Sequence, residues 1–264
     1  MFKRVTEKQK ERERERERER ESEVFDLLMA EQQIRSEGLT RTSVAVRDVL
    51  LECAIHRNVH ASDALGVVVL HPYSWLGGCM YDHVVQSLFS CFASSGKYNT
   101  VVMYNARGVG KSSGRSSLYG AHKEVEDLKA LSQFLLQNLT HPPKKVLLVG
   151  YSHGSMVASG VSNEPFIAGV SLVSPPLGDF ASFMLGTKQL FKTFGEAKDV
   201  PKLIAMGSKD TFCSVDALKK KVEKIQGPVP VEVKIFQGAN HFWTTHLQTM
   251  AEHVLHWAGD NLSD

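Results

Sequence analysis

A hydroxyl group in the segment Gly150-Tyr151-Ser152-His153-Gly154 is set up to attack a carbonyl carbon. A serine hydroxyl is a poor nucleophile unless it is exposed, aligned and next to a base. The segment follows an apolar run over 146–149 and opens a small-residue stretch that reads as a helix over 152–161. A tight strand-to-helix turn exposes the hydroxyl, and flanking glycines remove side chains that would clash there. The start of the following helix also brings free N–H groups beside the reacting carbonyl. Ser152 is therefore the candidate nucleophile. The bland alternative is an ordinary glycine-rich turn. The chain has 20 glycines, so the pentapeptide carries weight only with the strand and helix around it.

A nucleophile of this kind needs a base and an acid that orients the base. Both should follow it in chain order, each on a loop after a strand. A strand over 203–206, a glycine turn at Gly207 and then Asp210 supply the acid. A strand over 231–236, a glycine turn at Gly238 and then His241 supply the base. Asp210 could instead cap the helix that begins near Ser214 and Asp216. Asp179 is a competing acid, and His241 could be a capping or core histidine. The oxyanion of the reaction needs two backbone N–H donors. One is His153, directly after the nucleophile. The other is assigned to Tyr73 in the loop His71-Pro72-Tyr73-Ser74-Trp75-Leu76-Gly77-Gly78, which could also be a plain proline-glycine loop.

Other motifs compete with this chemistry. His246, His253 and His256 share a predicted helix, but no cysteine or carboxylate cluster completes a metal site. His71 and His83 read as structural. No metal and no organic cofactor is required. Asn105-Ala106-Arg107-Gly108-Val109-Gly110-Lys111-Ser112 nearly spells a phosphate-binding loop. Its first glycine is replaced by Asn105, and Arg107 and Val109 fall where amides should converge on phosphate.

The positioning elements alternate. Apolar runs predict strands within 44–55 (one or two) and over 65–71, 100–104, 146–150, 168–173, 203–206 and 231–236. Helical spacing predicts helices over 82–92, 125–139, 216–225 and 244–257. This pattern implies an α/β fold, a three-layer α/β/α sandwich around a mostly parallel sheet. Residues 40–264 form that domain. Residues 1–39 form a charged low-complexity tail, disordered or weakly helical, because Glu-Arg alternation over 11–20 sets attractive i,i+3 against repulsive i,i+4 pairs.

A formal net charge of +2 over 264 residues gives no reason to expect nucleic acid as a partner. No apolar run has the ~18 residues that a membrane span needs. The four cysteines are scattered, and the N-terminus carries no apolar leader, so a cytoplasmic location is expected.

Together these pieces resemble the α/β-hydrolase superfamily over roughly residues 44–262. They are most similar to its small capless branch, related to serine aminopeptidase and Xaa-Pro dipeptidyl-peptidase-like groups. The resemblance rests on the His71–Gly78 loop, the N-x-RG-x-G-x-S turn at Asn105–Ser112, the Ser152 turn, and the Asp210 and His241 loops. It implies Ser152, Asp210 and His241 as a catalytic triad and makes Arg107-Gly108-Val109-Gly110 a structural turn. Larger relatives carry a cap between the strands ending near 173 and starting near 203. Here only about 30 residues fill that gap, holding Phe180, Phe183, Met184, Leu190, Phe191 and Phe194. One or two short helices and a partly open apolar cleft are expected, although these residues could simply pack on the sheet. The expected partner is a small-molecule ester or acyl substrate, with thioesters, amides and short peptides left open. Two rivals remain: a non-catalytic receptor or scaffold on the same fold, and a nucleotide-binding protein using Lys111.

Overall fold

The computed structural model describes residues 38–61, 63–225 and 227–262. The charged tail expected over 1–39 lies outside them except for Gly38 and Leu39, which open the first strand. Eight strands form one sheet: β1 (Gly38–Val46), β2 (Val49–Arg57), β3 (Asp63–Leu70), β4 (Tyr98–Tyr104), β5 (Lys145–Tyr151), β6 (Ile167–Val173), β7 (Lys202–Lys209) and β8 (Val231–Asn240). Their spatial order is β1-β2-β4-β3-β5-β6-β7-β8. β2 is antiparallel to β1 and β4, and every other pairing is parallel.

Successive side chains of a strand point to opposite faces, and β3 uses both. Val67 and Val69 join a core under helices α1 (His83–Ser94) and α7 (Leu247–Asn261). Val68 and Leu70 join a second core under α2 (His122–Asn138), α3 (His153–Val161), α5 (Lys188–Glu196) and α6 (Val215–Val222). Two cores, one on each face, make the three-layer sandwich. All seven residues of β4 are buried, which is why it reads as an unbroken apolar run. β1 alternates partly and fully exposed positions over most of its length, as an outer strand does. The gap after β6 holds two helices, α4 (Asp179–Leu185) and α5, and no separate lid.

Register places the functional loops on one edge. Leu70 of β3 lies beside Gly150 of β5, Tyr151 beside Val173 of β6, and Lys209 of β7 beside Asn240 of β8. One detail differs from expectation. Gly207 and Gly238 are not turns; they lie inside β7 and β8. A Cβ on Gly207 would lie 2.3 Å from the Ala239 carbonyl oxygen, at a register shift between the two strands. The missing side chain lets the strands stay paired through a bulge up to the edge of the site.

Candidate active site

Ser152 sits between β5 and α3 with φ 51° and ψ −121°, a conformation costly for a residue with a Cβ. Its N–H donates to the Val173 carbonyl at 2.9 Å, and its carbonyl accepts the Ser155 N–H at 3.0 Å. The two glycines have separate tasks. A Cβ on Gly150 would lie 2.4 Å from the Gly154 carbonyl oxygen, so Gly150 lets α3 fold back on its own strand. A Cβ on Gly154 would lie 2.5 Å from the His71 carbonyl oxygen, so Gly154 lets α3 press on the end of β3.

The structure brings Ser152, His241 and Asp210 together. His241 Nε2 lies 3.0 Å from Ser152 Oγ, and His241 Nδ1 lies 2.8 Å from Asp210 Oδ2. The His241 and Asp210 side chains are 4% and 0% exposed, so the contact between them is sheltered from water. The other oxygen of Asp210 accepts the backbone N–H groups of Phe212 (2.8 Å) and Cys213 (3.2 Å). Asp210 thus braces its own loop and holds the imidazole, while Ser214 caps α6. Burial beside Asp210 pushes the Cys213 thiol up to about 11. Asp179, the competing acid, is the exposed first residue of α4 and pairs with Lys221 at 3.1 Å.

β5 and β8 are three strand positions apart, roughly 14 Å, so the His241 loop must reach back across the ends of β7 and β6. Trp243 pulls it there. Its side chain is 1% exposed, and its Nε1–H donates to Ser174 Oγ, just after β6, at 3.1 Å. The Tyr151 hydroxyl donates to the His241 carbonyl at 3.1 Å, and the Phe212 ring lies 4.3 Å from the imidazole. Sequence reasoning missed Trp243, Ser174 and Phe212.

Tyr73 precedes a single 3₁₀ turn, Ser74–Leu76. Its carbonyl accepts the N–H groups of Leu76 and Gly78, both at 3.1 Å, and its hydroxyl donates to the Leu118 carbonyl at 2.7 Å. The Tyr73 ring lies 5.1 Å from the ring of His153, the first residue of α3. His71 holds the base of this loop. Its Nδ1–H donates to the Pro72 carbonyl at 2.7 Å, and its Nε2 accepts the Ala106 N–H at 3.0 Å. Burial pushes the His71 imidazole down to about 4.

The Asn105–Ser112 turn is occupied by the protein itself. Arg107 makes a buried two-pronged pair with Asp127 at 2.6 and 2.7 Å and also reaches Asp48 at 3.1 Å. The Lys111 N–H donates to the Glu52 carboxylate at 2.8 Å, where a phosphate would meet negative charge. Among the described residues, no group of three or more His, Cys, Asp or Glu side chains could hold a metal ion.

A family model described as "Alpha/beta hydrolase family" matches residues 67–262. The chain belongs to this family. Among solved structures, this alpha/beta hydrolase is similar to an alpha-beta serine hydrolase homologue from Coxiella burnetii, at 26% identity and a TM-score of 0.69, covering 84% of this chain and 98% of that one. A lidless serine hydrolase from Xanthomonas campestris shares the fold at 20% identity and a TM-score of 0.70, covering 87% and 97%. An esterase from Pyrococcus furiosus does so at 20% identity and a TM-score of 0.70, covering 86% and 92%. No curated protein matches the hydrolase's sequence.

Proposed function

We propose that this chain is a serine hydrolase that cleaves carboxylic esters through an acyl-enzyme. Ser152 Oγ attacks the ester carbonyl carbon while His241 Nε2 takes its proton. The carbonyl oxygen becomes an oxyanion held by the backbone N–H groups of Tyr73 and His153. Asp210 keeps the imidazole in the required tautomer and stabilises its cation. The intermediate collapses, the C–O bond to the alcohol breaks, and His241 returns the proton to the departing oxygen. Water then repeats the cycle on the acyl-serine and releases the acid. The observation that carries this reading is the hydrogen-bonded chain Ser152–His241–Asp210, with spacings of 3.0 and 2.8 Å, next to a serine held at positive φ.

The segments that leave the sheet at the Ser152 edge present Trp75, Leu76, Leu118, Tyr119, Phe180, Phe183 and Phe242 as exposed large apolar residues. They follow β3, β4, β6 and β8. Such a rim favours an apolar acyl group over a sugar or charged peptide. Among the described residues, no helix is long and apolar enough to cross a membrane. The four cysteines are free, which suits a reducing compartment such as the cytosol.

Two experiments test this reading. A fluorophosphonate probe labels the wild type, and Ser152→Ala abolishes labelling. A folded wild type that resists the probe would favour the receptor reading. A panel of p-nitrophenyl esters of increasing chain length, run against aminoacyl-nitroanilides, gives higher kcat/KM for the esters. Preference for the nitroanilides would replace the esterase by a peptidase.

A further inference from the structure

Two buried polar atoms beside the proposed oxyanion site have no hydrogen-bond partner among the described residues, and their residues line one small cavity. Glu124, in the first turn of α2, is 6% exposed. Its Oε1 accepts the Ser117 N–H at 2.7 Å, while Oε2 has no hydrogen-bond partner. His153 is 7% exposed, and its Nε2 is likewise unpartnered. Both residues line a cavity of about 20 Å³, together with His71, Ser74, Ser117 and Ala106.

A carboxylate oxygen or ring nitrogen left bare in the interior costs about 1–3 kcal/mol, so the pair calls for an occupant. The cavity has Leu70 and Val157 in its wall beside these polar groups, and it exceeds the ~10–15 Å³ that a water needs. Among the described residues no group of three or more His, Cys, Asp or Glu side chains could hold a metal ion there, and both nitrogens of His71 are already engaged. Water fits the chemistry of both atoms. Burial keeps the His153 imidazole below its ordinary value, which favours the neutral ring, and its unpartnered Nε2 can then accept from a water. Two acceptors match the two hydrogens of one water.

We propose that this cavity binds one ordered water that donates to Glu124 Oε2 and to His153 Nε2, making Glu124 a positioning residue for the oxyanion site. The water fixes the His153 ring, which packs on the Tyr73 ring. The residues whose N–H groups would hold the oxyanion are therefore held at fixed separation from behind. This catalytic consequence rests on the serine-hydrolase reading; the water itself does not.

A high-resolution crystal structure tests the water directly, with density expected within about 3.2 Å of both atoms. An empty cavity overturns the proposal. Kinetics test the positioning role, with kcat expressed per phosphonate-titrated site. Glu124→Leu lowers kcat about tenfold with KM unchanged, less than the 10²–10³ loss typical of an absent oxyanion donor. Glu124→Gln stays within about threefold of wild type, because the amide accepts from Ser117 and still bonds the water. Glu124→Leu combined with His153→Phe is no worse than the poorer single variant, since both break one link. A Gln variant as damaged as the Leu variant, or a Leu variant that loses only thermal stability, overturns the role. A wild type without esterase activity would sink the hydrolase reading, and the density would still decide the water.

Discussion

His71 shows how one side chain couples the proposed chemistry to stability. Its ring bridges the Pro72 carbonyl and the Ala106 N–H, so the loop carrying Tyr73 is tied to the strand-end turn after β4. That bridge needs a neutral ring, because Nε2 must accept. In the unfolded chain the imidazole gains a proton near pH 6.5; in the fold it does so only near 4, because of burial. Between those values unfolding takes up a proton, so stability present above pH 6.5 is lost as pH falls toward 4, by about 3 kcal/mol in all. His153, also lowered by burial, acts in the same direction. Unfolding measured across this pH range should show the acid limb, and His71→Gln should flatten it. A limb of unchanged slope in the variant would remove His71 as its source.

At the scale of elements, the strand-to-helix turn and the end of β3 behave as one part. Gly154→Ala would drive a Cβ into the His71 and Leu70 backbone, at 2.5 and 2.7 Å. The Tyr73 loop must then retreat from Ser152. kcat is expected to fall 10²- to 10³-fold, as when one oxyanion donor is lost. Gly160→Ala, in the same helix, meets only the Val125 and Leu190 side chains, so it should change melting temperature and leave kcat nearly intact. Equal kinetic damage from both would show that α3 tolerates no alanine anywhere, and that His71 is not the reason.

These elements also show what the sequence could and could not tell. β3, β4 and β5 were legible because strands buried on both faces need continuous apolar runs. The turns read at Gly207 and Gly238 were wrong. A glycine marks close backbone approach as readily as a turn, and here the approach comes from Ala239, 32 residues along the chain from Gly207. The gap after β6 was half legible. Leu190 and Phe194 pack into the core, whereas Phe180 and Phe183 stay exposed, a division that depends on which way each short helix faces. Ser152, Asp210 and His241 could be found from local spacing. Glu124 and Trp243 could not, because what marks them is a partner, or the lack of one, across the fold.

Across the whole molecule, one buried ion pair ties elements distant in sequence. Arg107 follows β4, Asp127 lies in α2, and Asp48 sits in the turn between β1 and β2. The Arg107 and Asp127 side chains are 3% and 2% exposed. Asp127→Ala would leave a guanidinium buried without its main partner, at a cost of about 3–5 kcal/mol. For a domain of this size that lowers the melting temperature on the order of 10 °C. A drop of only a degree or two in a thermal melt would mean that water replaces the carboxylate. The same residues explain the near-match to a phosphate loop: the spacing of glycines serves an arginine clamp.

The sheet also fixes where the described chain starts and stops. Gly38 pairs with Arg57, and Arg57 with Thr100 near the start of β4. Leu262 packs where a Cβ on Gly169 would be, near the start of β6. Both ends therefore leave from the pole where the parallel strands begin, opposite the one that carries Ser152. A carrier, bead or reporter joined directly at Gly38 or Leu262 is anchored at the back of the molecule and leaves the pole that carries Ser152 facing the solution.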